Sequence, residues 1–205
     1  MSKMISEPED YFRTLVAERD PVLKRLEEEA QTEGIPIIGP VIGALMFVLA
    51  RFAGARRILE FGAATGYSAI WMARGCQADD ARIVTMEKSP AMADQARRNC
   101  DLAGVGHRVE IHTGDALTIA KDLAGPFDMI FLDIEKKDYV RALEDCRRLL
   151  RPGGLLAADN IAFADADPFN RAIAADEAWQ AVPLYAFMPD HSPEHDGICL
   201  AVKSL

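Results

Sequence analysis

The chain has 205 residues, 50% of them apolar, and a formal net charge of −9 at pH 7. This length is enough for one well-buried α/β domain and short for two. The negative charge disfavours unaided binding to nucleic acid or to an anionic membrane, so the expected partner is a small molecule.

The N-terminal segment predicts one or two amphipathic helices, because apolar and charged residues alternate with helical spacing over residues 8–33. Asp20-Pro21 marks the expected break between them. The segment lacks the apolar core of a signal peptide, which favours a cytoplasmic protein. The cysteines form no C-x-x-C pair and are expected to be reduced and structural: Cys76, Cys100, Cys146 and Cys199.

Residues 35–50 contain no charged side chain. The stretch is shorter than the roughly 18 to 20 residues that a membrane span needs, and it carries prolines and glycines. We therefore predict a buried helix over residues 40–52 that caps the sheet or lines a homodimer interface. Residues 1–53 are expected to form N-terminal cap helices, and residues 54–205 a Rossmann-like core, within one domain.

Short apolar runs alternate with amphipathic stretches from residue 58 onward. This pattern predicts strands at residues 58–60, 83–86, 109–112, 129–132, 155–158, 182–187 and 198–202. Helices are predicted at residues 67–74, 90–103, 116–123, 139–150 and 167–175. Pro183 indicates that its strand lies at an edge. Repeated βα units with short connections predict an α/β fold with a doubly wound, mostly parallel, seven-stranded sheet.

A glycine-bounded turn follows the first strand at Gly62 to Gly66. Glycines there let the backbone approach a ligand, and the next helix directs free amides to the same place. Glu87 follows the second strand, where a carboxylate can accept both ribose hydroxyls of an adenosine. NAD and S-adenosylmethionine satisfy this pattern equally. The dinucleotide fingerprint is poorly matched, since Ala64 and Tyr67 stand where its other glycines belong.

Oxygen-bearing side chains follow two later strands. Asp133 ends one, and Asp159 with Asn160 ends the next along the chain. If these strands are neighbours, the three side chains converge, and they suit a hard divalent ion such as Mg²⁺. His191 and His195 have a metal-like spacing, but Pro193 between them argues against the helical face that a zinc pair needs.

Four motifs in order resemble the cation-dependent O-methyltransferases, a family that includes catechol and caffeoyl-coenzyme A O-methyltransferases. The similarity extends from about Pro36 to Lys203 and includes the closing Asp196-Gly197. The motifs are E-F-G-A-A-T-G-Y-S at residues 60–68, Gly114-Asp115-Ala116, Asp133-Ile134-Glu135-Lys136 and Ala158-Asp159-Asn160.

The resemblance implies roles for individual residues. Asp133, Asp159 and Asn160 would hold the metal, and Lys136 would be the general base, with Lys137 the alternative. Glu87 would bind the ribose of S-adenosylmethionine, and Asp115-Ala116 would lie by the adenine. The full set implied for the cofactor is Glu60, Gly62, Ala63, Gly66, Ser68, Glu87, Asp115, Ala116 and Asp133.

The implied reaction is divalent-metal-dependent methyl transfer to a hydroxyl of a catechol-like or other vicinal-oxygen aromatic acceptor. Two alternatives stay open: a nicotinamide-dependent reductase on a related fold, and a binding protein that keeps the fold without turnover. Relatives usually have a longer insertion after Asn160, so the acceptor pocket is expected to be open.

Overall fold

Seven strands form one sheet in the computed structural model, which describes residues 2–204. The strands are β1 (Arg57–Phe61), β2 (Arg82–Glu87), β3 (Val109–Thr113), β4 (Phe127–Leu132), β5 (Leu150–Ala158), β6 (Trp179–Phe187) and β7 (His195–Lys203). Their order across the sheet is β3-β2-β1-β4-β5-β7-β6. Strands β1 to β5 pair in parallel, and β7 runs antiparallel to both β5 and β6. The predicted mostly parallel seven-stranded sheet is confirmed.

Helices cover both faces of this sheet. They are α1 (Pro8–Thr14), α2 (Pro21–Glu33), α3 (Gly39–Phe52), α4 (Tyr67–Gly75), α5 (Pro90–Leu102), α6 (Ala116–Asp122), α7 (Tyr139–Leu149) and α8 (Asp167–Ala175). Helices α6, α7 and α8 bury side chains such as Tyr139 and Phe169 against one face. Helices α2 to α5 bury Leu26, Met46 and Ile70 against the other. The chain passes to opposite faces after β1 and β4, which opens a crevice between their carboxyl ends.

The break predicted at Asp20-Pro21 is confirmed. The Asp20 carboxylate accepts hydrogen bonds from the backbone amides of Val22 (2.9 Å) and Leu23 (3.4 Å), and Pro21 occupies the first turn of α2. An N-cap carboxylate satisfies amides that have no partner within the helix. Residues 15–20 thus separate the exposed α1 from the buried α2.

The uncharged stretch forms α3, as predicted, and it packs most heavily against α4. Six of its residues are buried: Gly39, Pro40, Ile42, Gly43, Met46 and Ala50. No helix within residues 2–204 is long and apolar enough to cross a membrane.

The last three strands, β5, β6 and β7, each begin at least three residues earlier than the sequence predicts. Strand β5 was predicted to start at residue 155 but starts at Leu150, which pairs with Phe127 before a register shift between β4 and β5. Gly153 and Gly154 lie within this irregularity, between the paired residues Leu150 and Leu155. Strand β6 starts at Trp179, which pairs with Lys203, and it is the edge strand that Pro183 predicts.

All four cysteines are buried and free, as expected. Burial disfavours the charged thiolate and raises the pKa of Cys199 to about 11. Thiols in such surroundings are unreactive and contribute to packing.

Candidate functional site

The turn after β1 is shaped by two glycines with left-handed backbone conformations. Gly62 has φ +98°, and a Cβ there would lie 2.0 Å from the carbonyl oxygen of Asp133. Gly66 has φ +86°, and its Cβ would lie 3.2 Å from Ala96 in α5. Close packing against β4 and α5 therefore requires these glycines, in addition to any ligand.

Glu87, at the end of β2, is oriented by backbone amides. Its Oε2 accepts a hydrogen bond from the amide of Ala64 (2.9 Å), and its Oε1 accepts one from Ser89 (2.8 Å). Each carboxylate oxygen keeps a free lone pair. The side chain is therefore held in place and can still accept two hydroxyls of a ligand.

Asp115 precedes α6 and caps it. Its Oδ1 accepts hydrogen bonds from the side-chain hydroxyl and the backbone amide of Thr118, both at 2.9 Å. These bonds favour the carboxylate and lower the pKa of Asp115. Ala116 follows as the first residue of the helix.

At the end of β4, Asp133 is paired with Lys136. The Lys136 Nζ donates to Asp133 Oδ1 (2.9 Å) and to the carbonyl of Ile134 (3.1 Å). Burial raises the pKa of Asp133, the nearby charge of Asp159 adds to the rise, and Lys136 opposes it. The lysine is held where it offsets a carboxylate that would otherwise be costly to ionise.

At the end of β5, Asp159 is almost fully buried and contacts a histidine. Its Oδ2 lies 2.8 Å from His191 Nε2, and both side chains are 1% exposed. Its Oδ1 has no hydrogen-bond partner among the described residues. The Tyr139 hydroxyl donates to the Asp159 carbonyl (3.0 Å). One oxygen of this carboxylate is thus held, while the other is left without a partner.

The histidine is fixed from its other side. His191 Nδ1 lies 2.6 Å from the carbonyl oxygen of Pro193, which can only accept, so this nitrogen carries a proton. Burial lowers the pKa of His191, but its hydrogen bond to Asp159 and the charge of that carboxylate raise the pKa by more.

The side chain of Asn160 is oriented by hydrogen bonds to β7 and to the loop before it. Its side-chain nitrogen donates to Asp196 Oδ2 (2.7 Å) and to the carbonyl of Ser192 (3.3 Å). Asp196 is fully buried and also accepts from the backbone amide of Gly197 (2.6 Å). Because the amide nitrogen is engaged on this side, the Asn160 oxygen is free to face a ligand.

These groups line one cavity of about 510 Å³ at the carboxyl ends of the strands. Of the residues singled out from the sequence, it brings together Gly62, Glu87, Asp115, Ala116, Asp133, Lys136, Asp159 and Asn160. Five others lie outside the cavity wall: Glu60, Ala63, Gly66, Ser68 and the alternative base Lys137.

Glu60 lies behind the glycine turn and is fully buried. The Ser68 hydroxyl donates to its Oε1, and its Oε2 has no partner among the described residues. Burial raises the pKa of Glu60 to about 7. The side chains of Glu60 and Ser68 therefore do not line the cavity, and they can affect a ligand there only by supporting the backbone of the glycine turn.

Residues 14–180 match the model of a protein family described as O-methyltransferase. The chain belongs to the O-methyltransferase family. This confirms the enzyme class expected from the sequence, an S-adenosylmethionine-dependent O-methyltransferase, and disfavours the reductase alternative.

Relatives and solved structures agree with this assignment. This O-methyltransferase is 35% identical to a catechol O-methyltransferase of Niastella koreensis, covering 98% of this chain and 99% of the relative. It is 38% identical to a catechol O-methyltransferase of Mycobacterium tuberculosis, covering 72% and 68%. The O-methyltransferase from Bacillus cereus in complex with SAH superposes with a TM-score of 0.86 at 30% identity, covering 96% and 97%. TomG from Streptomyces achromogenes, in complex with SAM, gives 0.87 at 30% identity, covering 97% and 96%.

The oxygen atoms at the acidic end of the cavity fit a hard cation. Within residues 2–204 no group of three or more His, Cys, Asp or Glu side chains is arranged to hold a metal ion. Asp133, Asp159 and Asn160 instead offer two carboxylates and an amide. Asp159 Oδ1 is buried without a partner among the described residues, and the hydrogen bonds of the Asn160 side chain engage its nitrogen, so the oxygens that Mg²⁺ prefers are the ones left over.

His191 is a site residue that the sequence pattern did not reveal. Its spacing to His195 suggested a zinc pair and was rejected because of Pro193, yet the ring contacts Asp159 from the β6–β7 connection. Residues 35–37, between α2 and α3, also line the cavity and were expected only to precede a buried helix. Neither segment carries a periodicity that would indicate a site.

Proposed function

We propose that this enzyme transfers the methyl group of S-adenosylmethionine to a hydroxyl of a catechol-like or other vicinal-oxygen aromatic acceptor. The proposed reaction depends on a divalent cation, with Mg²⁺ the best fit. The observation that carries the proposal is the convergence of Lys136, Asp133, Asp159 and Asn160 with Glu87 in one cavity. The names of the two relatives from Niastella koreensis and Mycobacterium tuberculosis support the catechol class.

The methyl donor is proposed to bind at the carboxyl ends of β1 to β3. Glu87, already held by two backbone amides, would accept the ribose hydroxyls. Asp115 and Ala116 would flank the adenine, and the backbone of the Gly62 turn would approach the donor closely. The complexes of the Bacillus cereus enzyme with SAH and of TomG with SAM support this choice of donor.

Asp133, Asp159 and Asn160 are proposed to hold the cation. When bound, it would lower the pKa of one acceptor hydroxyl and orient two adjacent oxygens. The carboxylates of Asp133 and Asp159 lie close enough to raise the pKa of Asp133, so a positive charge between them removes a repulsion. The oxygen-only donor set favours Mg²⁺ over softer ions.

Lys136, as a neutral amine released from Asp133, is proposed to accept the proton of the acceptor hydroxyl. Its side chain is 21% exposed, and its Nζ lies beside Asp133 at the cavity wall. The acceptor oxygen forms a bond to the methyl carbon as the sulfur–carbon bond breaks, and the sulfur keeps that electron pair. Opposite charges are neutralised in this step, so close and dry positioning matters more than stabilising a new ion.

A homodimer is proposed for the assembly. Two surfaces expose large apolar side chains: Val48 and Phe52 on α3, and Leu184 and Tyr185 on the edge strand β6. Exposed apolar area of this kind is typical of subunit contacts. The cytoplasmic location stays a prediction.

The decisive experiment compares Asp159→Asn with Asp165→Asn, an exposed aspartate on the connection before α8. Methylation of catechol would be measured with S-adenosylmethionine, in Mg²⁺ and in EDTA. We expect EDTA to abolish turnover and Asp159→Asn to reduce it by at least about 100-fold, because a neutral amide replaces a negatively charged cation ligand. Asp165→Asn should match the wild type, and all three proteins should bind the donor equally in calorimetry.

Unchanged turnover in EDTA or in Asp159→Asn would overturn the metal-dependent mechanism. Donor binding without methylation of any vicinal-oxygen acceptor would favour the silent binding protein. Binding of NAD in place of the donor would contradict the proposal altogether.

A further inference from the structure

We infer that His191 is a positioning residue that makes Asp159 present one defined oxygen, Oδ1, to a divalent cation. The inference rests on the proposed function, since it concerns the same cation. It goes further by assigning a role to a residue from the β6–β7 connection, 32 positions away from Asp159.

The first step is that the histidine ring is held from both sides. Nε2 contacts Asp159 Oδ2 at 2.8 Å, and Nδ1 contacts the Pro193 carbonyl at 2.6 Å. The side chain is 1% exposed, so water does not compete for either nitrogen. A ring with both nitrogens engaged has one orientation.

The second step is that the backbone carrying the ring is held as well. The His191 amide donates to the Met188 carbonyl (3.0 Å). The start of α3 presses against the preceding residue, since a Cβ on Gly39 would lie 2.4 Å from the Asp190 carbonyl oxygen. The start of α3 therefore blocks movement of this loop toward α3.

The third step concerns the carboxylate. With Oδ2 engaged by His191, rotation of the Asp159 carboxylate would break a buried hydrogen bond, which is costly. Oδ1 is buried and has no partner among the described residues. An unpartnered carboxylate oxygen in a buried place indicates a missing cationic or donor ligand. His191 thus fixes the plane of the Asp159 carboxylate, so that a single oxygen, Oδ1 in this structure, is offered and both oxygens cannot turn toward one ligand.

The test uses two neutral amides of different length. The nitrogen of glutamine can reach about as far as His191 Nε2 and donate to Oδ2, whereas that of asparagine is one methylene shorter and cannot. Mn²⁺ would be titrated calorimetrically into each protein without acceptor. We expect His191→Asn to weaken Mn²⁺ binding by about 10- to 100-fold, the usual effect of losing such a partner, and His191→Gln to stay within about threefold of wild type.

Binding of S-adenosylmethionine and the melting temperature would be recorded for each variant, and donor affinity should not change. Wild-type Mn²⁺ affinity in a folded His191→Asn protein would overturn the inference, and so would equal losses in both variants. Absence of Mn²⁺ binding to the wild-type protein would instead overturn the proposed cation dependence itself.

Discussion

The two halves of the cavity satisfy their carboxylates in different ways. In the half at the ends of β2 and β3, Glu87 accepts hydrogen bonds from two backbone amides, and Asp115 accepts one from the backbone amide and one from the hydroxyl of Thr118. In the half at the ends of β4 and β5, Asp133 and Asp159 are met by the side chains of Lys136 and His191.

This difference indicates what each half can do. Backbone amides are fixed by the helices and turns that contain them, so the first half is formed before any ligand arrives. Side chains can exchange partners, so the second half can take up a cation or move a proton. Under the proposed function, a rigid half that binds the methyl donor would lie beside an adjustable half that binds the acceptor.

The largest expected effect comes from breaking the adjustable half at Lys136. Lys136→Met removes the proposed proton acceptor, so kcat for catechol at pH 7 should fall by about 10²- to 10⁴-fold. The loss should shrink at pH 9.5, where the acceptor hydroxyl ionises more readily by itself. Steady-state kinetics at both pH values would measure this.

The neighbouring Lys137 is a matched control, because it is exposed and lies outside the cavity wall. Lys137→Met should keep kcat within about twofold of wild type, since an exposed lysine usually contacts water. Full activity of Lys136→Met at every pH would exclude the base role.

The second prediction concerns Glu60, which lies between the two halves and is affected by the charges of Asp133 and Glu87. Its pKa is raised from 4.5 in the unfolded chain to about 7 by burial. A raised carboxyl pKa stabilises the fold fully below pH 4.5, and this contribution is lost as the pH rises through 7. The total is about 3 kcal/mol.

Glu60→Gln should remove this pH dependence. Its free energy of unfolding, measured by denaturant titration in EDTA, should exceed that of wild type increasingly from pH 5 to pH 8. Glu144→Gln, at an exposed position of α7, should follow the wild-type curve. Parallel curves for wild type and Glu60→Gln would show that Glu60 is ionised throughout.

The smallest effect is expected in the rigid half. Glu87→Gln keeps one oxygen that accepts hydrogen bonds and replaces the other with an NH₂ group that donates them. The affinity for S-adenosylmethionine should therefore fall by about 10-fold, or 1.4 kcal/mol. Mn²⁺ affinity should not change, because the adjustable half at the ends of β4 and β5 is held by other side chains. Calorimetry with each ligand measures both, and a parallel loss of Mn²⁺ affinity would contradict the division into halves.

Most of the fold could be predicted because buried parallel strands leave a clear signature. The run ending at Leu132 is continuous and apolar, the run ending at Phe61 is interrupted only by Glu60, and the turns after them contain glycine or acidic residues. The early start of β5 could not be predicted, because a proline and two glycines at residues 152–154 are typical of a turn. Only the register shift between β4 and β5 shows how a strand contains them.

The candidate site was predictable where it depends on strand ends and unpredictable where it depends on a long-range contact. Asp133, Asp159 and Asn160 each follow a strand, and neighbouring parallel strands bring their carboxyl ends together. His191 follows β6, whose antiparallel pairing with β7 folds it back to the same place. No local pattern specifies that return.

The β6–β7 hairpin also sets an order of assembly during synthesis. Asp159 and Asn160 emerge from the ribosome before their partners His191 and Asp196, which lie 32 and 36 residues later. Until the hairpin pairs with β5, the nascent chain carries these groups uncompensated, although the parallel strands have all been made. The site is therefore complete only after β7 has been added to the sheet.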